Sequence, residues 1–203
     1  WLDLTLRADV FVGAPSAGGA RNFPTLSPDV LPKMEAVPGV AWVETFRSVR
    51  VSSPLGEVNL AVADPRRPRD ARLYRSADGD PERVWDAAQA GAAIVTEPFA
   101  FRHGLPEHGA SVTLLTDRGV HTFPVAGVFF DYATEQGTVF LTRDVYERFW
   151  DDRGVTSLGV HLAPGASIDE VTGALRAALA GTALTVTPNR SLRAQALRIF
   201  DRT

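Results

Sequence analysis

The sequence predicts an α+β fold in which both ends of the chain build one split sheet and the middle forms a smaller β-rich insertion. Three observations predict it. A period-two strand followed by a helix near the start, and a strand–helix–strand run near the end, have complementary βαβ character. Between them the composition shifts at Asp64 to a polar, proline-rich stretch, DPRRPRDARLYRSADGDPERV. The segments that follow it are short strands separated by turns. The expected division is residues 1–63 plus 153–203 for the split α/β part, and 64–152 for the insertion.

Each element has a local reason. Residues 2–12, LDLTLRADVFV, alternate apolar and polar, the mark of a half-buried strand. A glycine-rich loop, GAPSAGGARNFP, follows. Ser27-Pro28-Asp29 opens a helix carrying Leu31, Met34 and Val37, although Pro32 argues against an uninterrupted one. Pro38-Gly39 ends it. Residues 40–63 read as a hairpin turning at Pro54-Leu55-Gly56-Glu57. Asp80-Pro81 caps a short helix through Val84, Trp85, Ala88 and Ala92. AAIVTEPFAFRHGL gives a buried strand and a short helix. SVTLLTDRGVHTFPVAGVFF turns at Asp117-Arg118-Gly119, and GTVFLT at 137–142 reads as a continuation of its second strand. Asp144 caps a helix with Val145, Phe149 and Trp150.

The last third is the clearest. SLGVHLAPG is a strand, and SIDEVTGALRAALAG a helix with Ser167 as N-cap and Glu170 at capping-box spacing. Ile168, Val171, Leu175 and Leu179 make its apolar face, and Gly181 is its expected C-terminal cap. ALTVTP is a further strand. Ser191 starts a final helix with Leu192, Ala196 and Ile199-Phe200 on one side.

Composition narrows the function. The 203 residues are 45% hydrophobic and 22% charged, which suits a packed core. A formal net charge of −3 gives no basic surface for nucleic acid. The absence of cysteine removes disulfides, thiolate metal sites and cysteine nucleophiles. No apolar run reaches the roughly 20 residues of a membrane helix.

The search for chemistry finds no active site. The loop Gly13-Ala14-Pro15-Ser16-Ala17-Gly18-Gly19 follows a strand as a phosphate loop does, but lacks the Gly-Lys-Ser/Thr ending and reads as a connector. His103, Glu107 and His108 are the one spacing that suggests a metal, with a solvated loop as the plain alternative. His121 and His161 fall in strands and read as satisfied groups. Serines lie in turns and caps, without a nucleophile elbow. Asp131 and Glu135, and the pair Asp151-Asp152, are loop carboxylates. Trp42, Trp85 and Trp150 are expected in or beside the core. The sequence begins at Trp1 rather than Met and stops at Arg202-Thr203, so both ends read as cuts, and the case to consider is a chain that begins just outside a membrane. Trp1 and Leu2 then suit one membrane-proximal junction, and Arg198, Phe200, Asp201 and Arg202 the other.

The terminal run Ser191-Leu-Arg-Ala-Gln-Ala-Leu-Arg-Ile-Phe-Asp-Arg-Thr203 resembles the helix that enters a transmembrane span in FtsX-like ABC-transporter permeases. Val37-Pro-Gly-Val40, the stretch VTEPFAFRHGL at 95–105, the Gly-x-x-Val-x-Leu-x-Thr pattern at 109–116 and FPVAGVFFDY at 123–132 fit in the same order. Together they resemble the periplasmic core domain of the MacB-type family over nearly the whole chain. The resemblance implies a porter-like α/β subdomain built from both ends, with the β-rich subdomain inserted. It also implies a place outside the cytoplasmic membrane of a bacterium, between transmembrane helices of one permease, with a separate cytoplasmic ATPase. Within the family such domains serve lipoprotein release, drug or peptide efflux, and control of cell-wall hydrolases. The implied role is mechanotransmission to a substrate or to a periplasmic or lipoprotein partner, with no catalytic residue, cofactor or metal carried over. The chain is expected to be a dimer in the full transporter and a monomer alone, with its two ends close together. A second external domain of a large permease is the position suggested by the terminal motif. The rival readings are a metal-dependent hydrolase using His103, Glu107 and His108, and a passive ligand-binding module.

Overall fold

A computed structural model describes residues 7–15, 24–63, 74–77, 80, 83–131, 134–192 and 194. The fold is α+β, and its strands pair in both parallel and antiparallel senses. By contacts the chain divides into a discontinuous unit, Leu6–Phe46 with Gly154–Thr203, and an inserted unit, Arg47–Arg153.

The discontinuous unit holds β1 (Val10–Gly13), α1 (Val30–Glu35) and the first half of β2 (Val40–Ser53). The end of the chain adds β9 (Ser157–Leu162), α5 (Ile168–Ala178) and β10 (Thr185–Pro188). Its strand order is β10-β1-β9-β2, antiparallel throughout. Each βαβ run therefore brackets a strand of the other, the interleaving of a ferredoxin-like split βαβ fold. The alternation Val10/Val12 and Leu158/Val160 sends apolar side chains to one face, where Val30, Met34, Val171 and Leu175 of the two helices meet them. All of these are at most 4% exposed, so this layer is a closed core. Ser167 caps α5 as expected, accepting from the Glu170 N–H at 3.4 Å. Pro32 is harmless where it falls. It is the third residue of α1, where the missing N–H has no intrahelical acceptor to lose.

The inserted unit carries the second half of β2, then β3 (Gly56–Ala63), β4 (Tyr74–Ala77), α2 (Val84–Ala90), β5 (Ala93–Thr96) and α3 (Glu97–Arg102). It continues with β6 (Ser111–Thr116), β7 (Gly119–Phe129), β8 (Val139–Thr142) and α4 (Arg143–Phe149). Its order is β2-β3-β8-β5-β7-β4, with β6 also on β7. β3 with β8 and β5 with β7 are parallel. Strand β5 is buried along its whole length. Val95 faces the core of α3 and α4, and Ile94 faces that of α2. Such two-sided burial explains why AAIVT shows no alternation in sequence.

Several expectations change. The division falls at 46/47, where 63/64 was expected, because β3 pairs with β8 and belongs wholly to the insertion. The polar shift at Asp64 falls inside the inserted unit rather than at its edge. The second division is at 153/154. GTVFLT does not prolong β7; as β8 it pairs with β3 and β5. β4 lies inside the stretch read as polar excursion. The N-cap of α1 is Asp29, and that of α4 is Thr142 rather than Asp144. The C-cap of α5 is Leu179, two residues before Gly181. Described strand structure at the start begins at Val10. Helical backbone after β10 begins at Asn189 rather than Ser191.

Candidate functional site

The rival metal reading on His103, Glu107 and His108 finds no ligand cluster among the described residues. Among the described residues, no group of three or more His, Asp or Glu side chains is placed to hold a metal. His103 instead lies against the Phe99 ring, 4.5 Å between centroids. Burial, then the charge of Arg102, pushes its pKa below the ordinary 6.5. His121 packs among Phe123 and Phe149 at 4.6 and 4.1 Å. His161 is stacked on Trp42 at 4.0 Å and hydrogen-bonds Glu44 at 3.3 Å. Glu44 is 1% exposed and the His161 side chain 18%, so the carboxylate of this pair is buried beneath the ring.

Two of the loop carboxylates, Asp151 and Asp152, are held by neighbouring side chains. The Arg118 guanidinium grips Asp151 with two bonds, 2.6 and 3.0 Å, and holds its carboxyl below the usual range. Asp152 accepts from Arg47 Nε at 2.7 Å and from the Tyr146 hydroxyl at 3.0 Å. Burial, with the Asp152 charge beside it, pushes the Tyr146 phenol up. Asp131 is buried and Glu135 exposed. Trp85 and Trp150 are core residues, at 5% and 6% exposure. Residues 16–19 of the glycine-rich loop lie outside the described residues.

The arrangement that stands out is where the chain enters and leaves. Val10 of β1 pairs directly with Pro188 of β10. Beyond that pair the two backbones remain bonded. The Asn189 N–H donates to the Asp9 carbonyl at 2.9 Å, and Asn189 Nδ2 to the Ala8 carbonyl at 2.7 Å. The Asp9 carboxylate accepts the Leu162 N–H at 2.8 Å, which anchors this start to β9. Arg190 forms an ion pair with Asp169 at the start of α5. The antiparallel pairing forces the incoming and outgoing segments to the same end of their sheet. The junction residues themselves, Trp1, Leu2, Arg198, Phe200, Asp201 and Arg202, lie outside the described residues, as does the expected closeness of Trp1 and Thr203. The sequence showed no signal for the bonds of Asp9 and Asn189, whose partners lie across the fold.

Comparison with known proteins identifies the family and the fold. Residues 3–178 match the MacB-like periplasmic core domain family. The chain is 32% identical over 212 aligned positions to the uncharacterized ABC transporter permease protein Rv0987 of Mycobacterium tuberculosis. That alignment covers all of this chain but 24% of the relative, so the chain spans about a quarter of the permease it matches. The fold is similar to the crystal structure of the periplasmic region of MacB from Actinobacillus actinomycetemcomitans, with a TM-score of 0.55 at 10% identity, covering 96% of this chain and 97% of that one. It is also similar to the extracellular domain of the noncanonic ABC-type transporter YknZ from Gram-positive bacteria, with a TM-score of 0.53 at 12% identity, covering 89% and 98%. The chain belongs to the MacB-like periplasmic core domain family, and its relative is an ABC transporter permease.

Proposed function

We propose that this chain is a non-catalytic extracytoplasmic domain of a bacterial ABC-transporter permease that passes ATP-driven movement to a substrate or partner outside the membrane. The carrying observation is the pairing of β1 with β10, continued by the Asn189 bonds to Ala8 and Asp9. It supports a domain held at one end, with both connections to the membrane leaving side by side. Transmembrane helices of the same permease would continue the chain on each side, and a separate ATPase in the cytoplasm would drive them. Trp1 and Leu2 on one side, and Arg198, Phe200, Asp201 and Arg202 on the other, are the proposed membrane-proximal levers. The partner outside is a periplasmic protein or lipoprotein. Two such domains meet in the full transporter, while the isolated chain is a monomer, since contacts that depend on tethering fall apart without it.

Topology provides the test. The chain has no cysteine, and Val120 at a hairpin end is 70% exposed. Val120→Cys in the full permease, otherwise cysteine-free, is labelled in intact spheroplasts by a membrane-impermeant maleimide. Labelling only after lysis would remove the extracytoplasmic placement. Unchanged ATPase rate and export after excision of the domain would remove the coupling role.

A further inference from the structure

Two sheet edges of this chain are built differently. At β10, the outer strand of the split sheet, Pro188 has no N–H to offer, and Arg176 Nη2 donates to the Val186 carbonyl at 3.2 Å. Prolines and charged side chains are common guards of an edge. β6 has neither. Its sequence SVTLLT carries no charge and no proline, and β7 is its one partner strand among the described residues. The register fixes which backbone groups are left over. The Val125 N–H donates to the Ala110 carbonyl at 2.8 Å, so bonded pairs recur at every second residue from there: Val112 with Phe123, Leu114 with His121, Thr116 with Gly119. Pro124, which cannot donate, faces Ser111 at a non-bonded position. The N–H and C=O groups of Ser111, Thr113 and Leu115 therefore point away from β7, and no other strand among the described residues pairs with them.

We propose that β6 is the edge through which two copies of this domain pair, strand against antiparallel strand, centred on Thr113. In that register Thr113 faces the same residue of the other copy, and Ser111 faces Leu115, so all three outward residues pair at once. Moving the centre along the strand loses at least one of these pairs. Charge chooses the direction. Glu107 and His108 precede the strand, and Asp117 and Arg118 follow it. Antiparallel pairing lays the end with Glu107 against the end with Arg118, whereas parallel pairing lays each charge beside its like. Leu115 is 51% exposed and sits directly opposite Val120 at 70%, so each copy also presents apolar surface beside the joint. The inference rests on the reading above that two such domains meet, and names the surface they would use. One short edge falls below the roughly 1,200 Å² of a stable interface. The isolated chain therefore stays monomeric at equilibrium, and tethering in the transporter supplies the concentration.

The chain has no cysteine, so single substitutions report the register as disulfides that trap even brief pairing. Bonded antiparallel pairs hold their Cα atoms about 5.5 Å apart, within disulfide reach. Thr113→Cys in the 203-residue chain, under mild oxidation, is expected to form covalent dimers roughly tenfold faster than Val120→Cys, although Val120 is the more exposed. In an equimolar mixture, Ser111→Cys and Leu115→Cys should join mainly to each other, in excess of random pairing. Adding Thr113→Lys to both sets like charges opposite each other at the centre and should return the mixture to random pairing. The mixture decides alone if Thr113→Cys fails to fold. Equal rates for Thr113→Cys and Val120→Cys overturn the proposal. So does random pairing in the mixture without lysine, which would leave the edge to a strand of a different protein. These outcomes are read in solution and do not bear on membrane placement, which the labelling experiment decides separately.

Discussion

At the scale of single residues, two glycines make opposite predictions. Gly137 has φ +71°, and a Cβ there would lie 2.2 Å from the Phe99 nitrogen, with backbone as the obstacle. Gly137→Ala should cost about 2–4 kcal/mol, combining left-handed strain with overpacking. Gly173 is exposed within α5 and has nothing within 4 Å of its would-be Cβ. Gly173→Ala should stabilise by roughly 0.5–1 kcal/mol through helix propensity alone. Urea unfolding of both variants checks the two signs. His103 supplies a pH prediction. Its pKa is lower folded than unfolded, so the folded state binds fewer protons. The stability linked to it is complete above the ordinary value of 6.5 and is lost as pH falls through the folded value. His103→Gln should flatten the fall in urea midpoint from about pH 7 to about pH 5. Sequence made such local residues readable only in part. Ser167 was legible as a cap because its partner lies three residues away. The Arg47–Asp152 bond was not, because 105 residues separate its ends and neither carries a mark of the other.

At the scale of elements, periodicity shows that a strand exists but not what it pairs with. The hairpin of β6 and β7 was legible because Asp117-Arg118-Gly119 is a turn between two apolar runs, although Leu114-Leu115 break strict alternation in β6. β8 was legible as a strand and misplaced, because Val139 and Leu141 read the same whether the neighbour is β7 or β3. The one-residue shift at Ala93/Ile94 in β5 is equally invisible from composition. α5 is the element best specified by its own sequence, with a cap, acidic Asp169 and Glu170 in the first turn and Arg176 in the last. Ser167→Ala should therefore lower stability by about 1 kcal/mol, and helical signal should fray first at Ile168. Thermal unfolding followed by circular dichroism, with exchange at the Glu170 amide, measures it. Threonine at 167 should restore most of the loss.

At the scale of the whole molecule, the split sheet was readable because both βαβ runs are strongly patterned, whereas the division at Phe46 was hidden inside a strand of 14 residues. The strand order also sets a schedule. The two neighbours of β1 are β9 and β10, so Val10 and Val12 find no partner strand until Ser157–Leu162 exists, and the second only at Thr185–Pro188. The insertion, in contrast, has all its pairing complete by Thr142. A chain delivered from its N-terminus would finish its middle while its beginning still waits, with an unpaired apolar strand exposed to aggregation or to a chaperone. Pulsed hydrogen exchange during refolding should accordingly show Val95 and Leu141 protected before Val10 and Val12. Simultaneous protection would mean that the two units form as one. The bonds of Asn189 to Ala8 and Asp9, which join the end of β10 to the start of β1, are then among the last to form. Adding β10 becomes the closing act of folding, and a chain truncated before it would keep the pairing of the insertion but leave β1 as a bare edge strand.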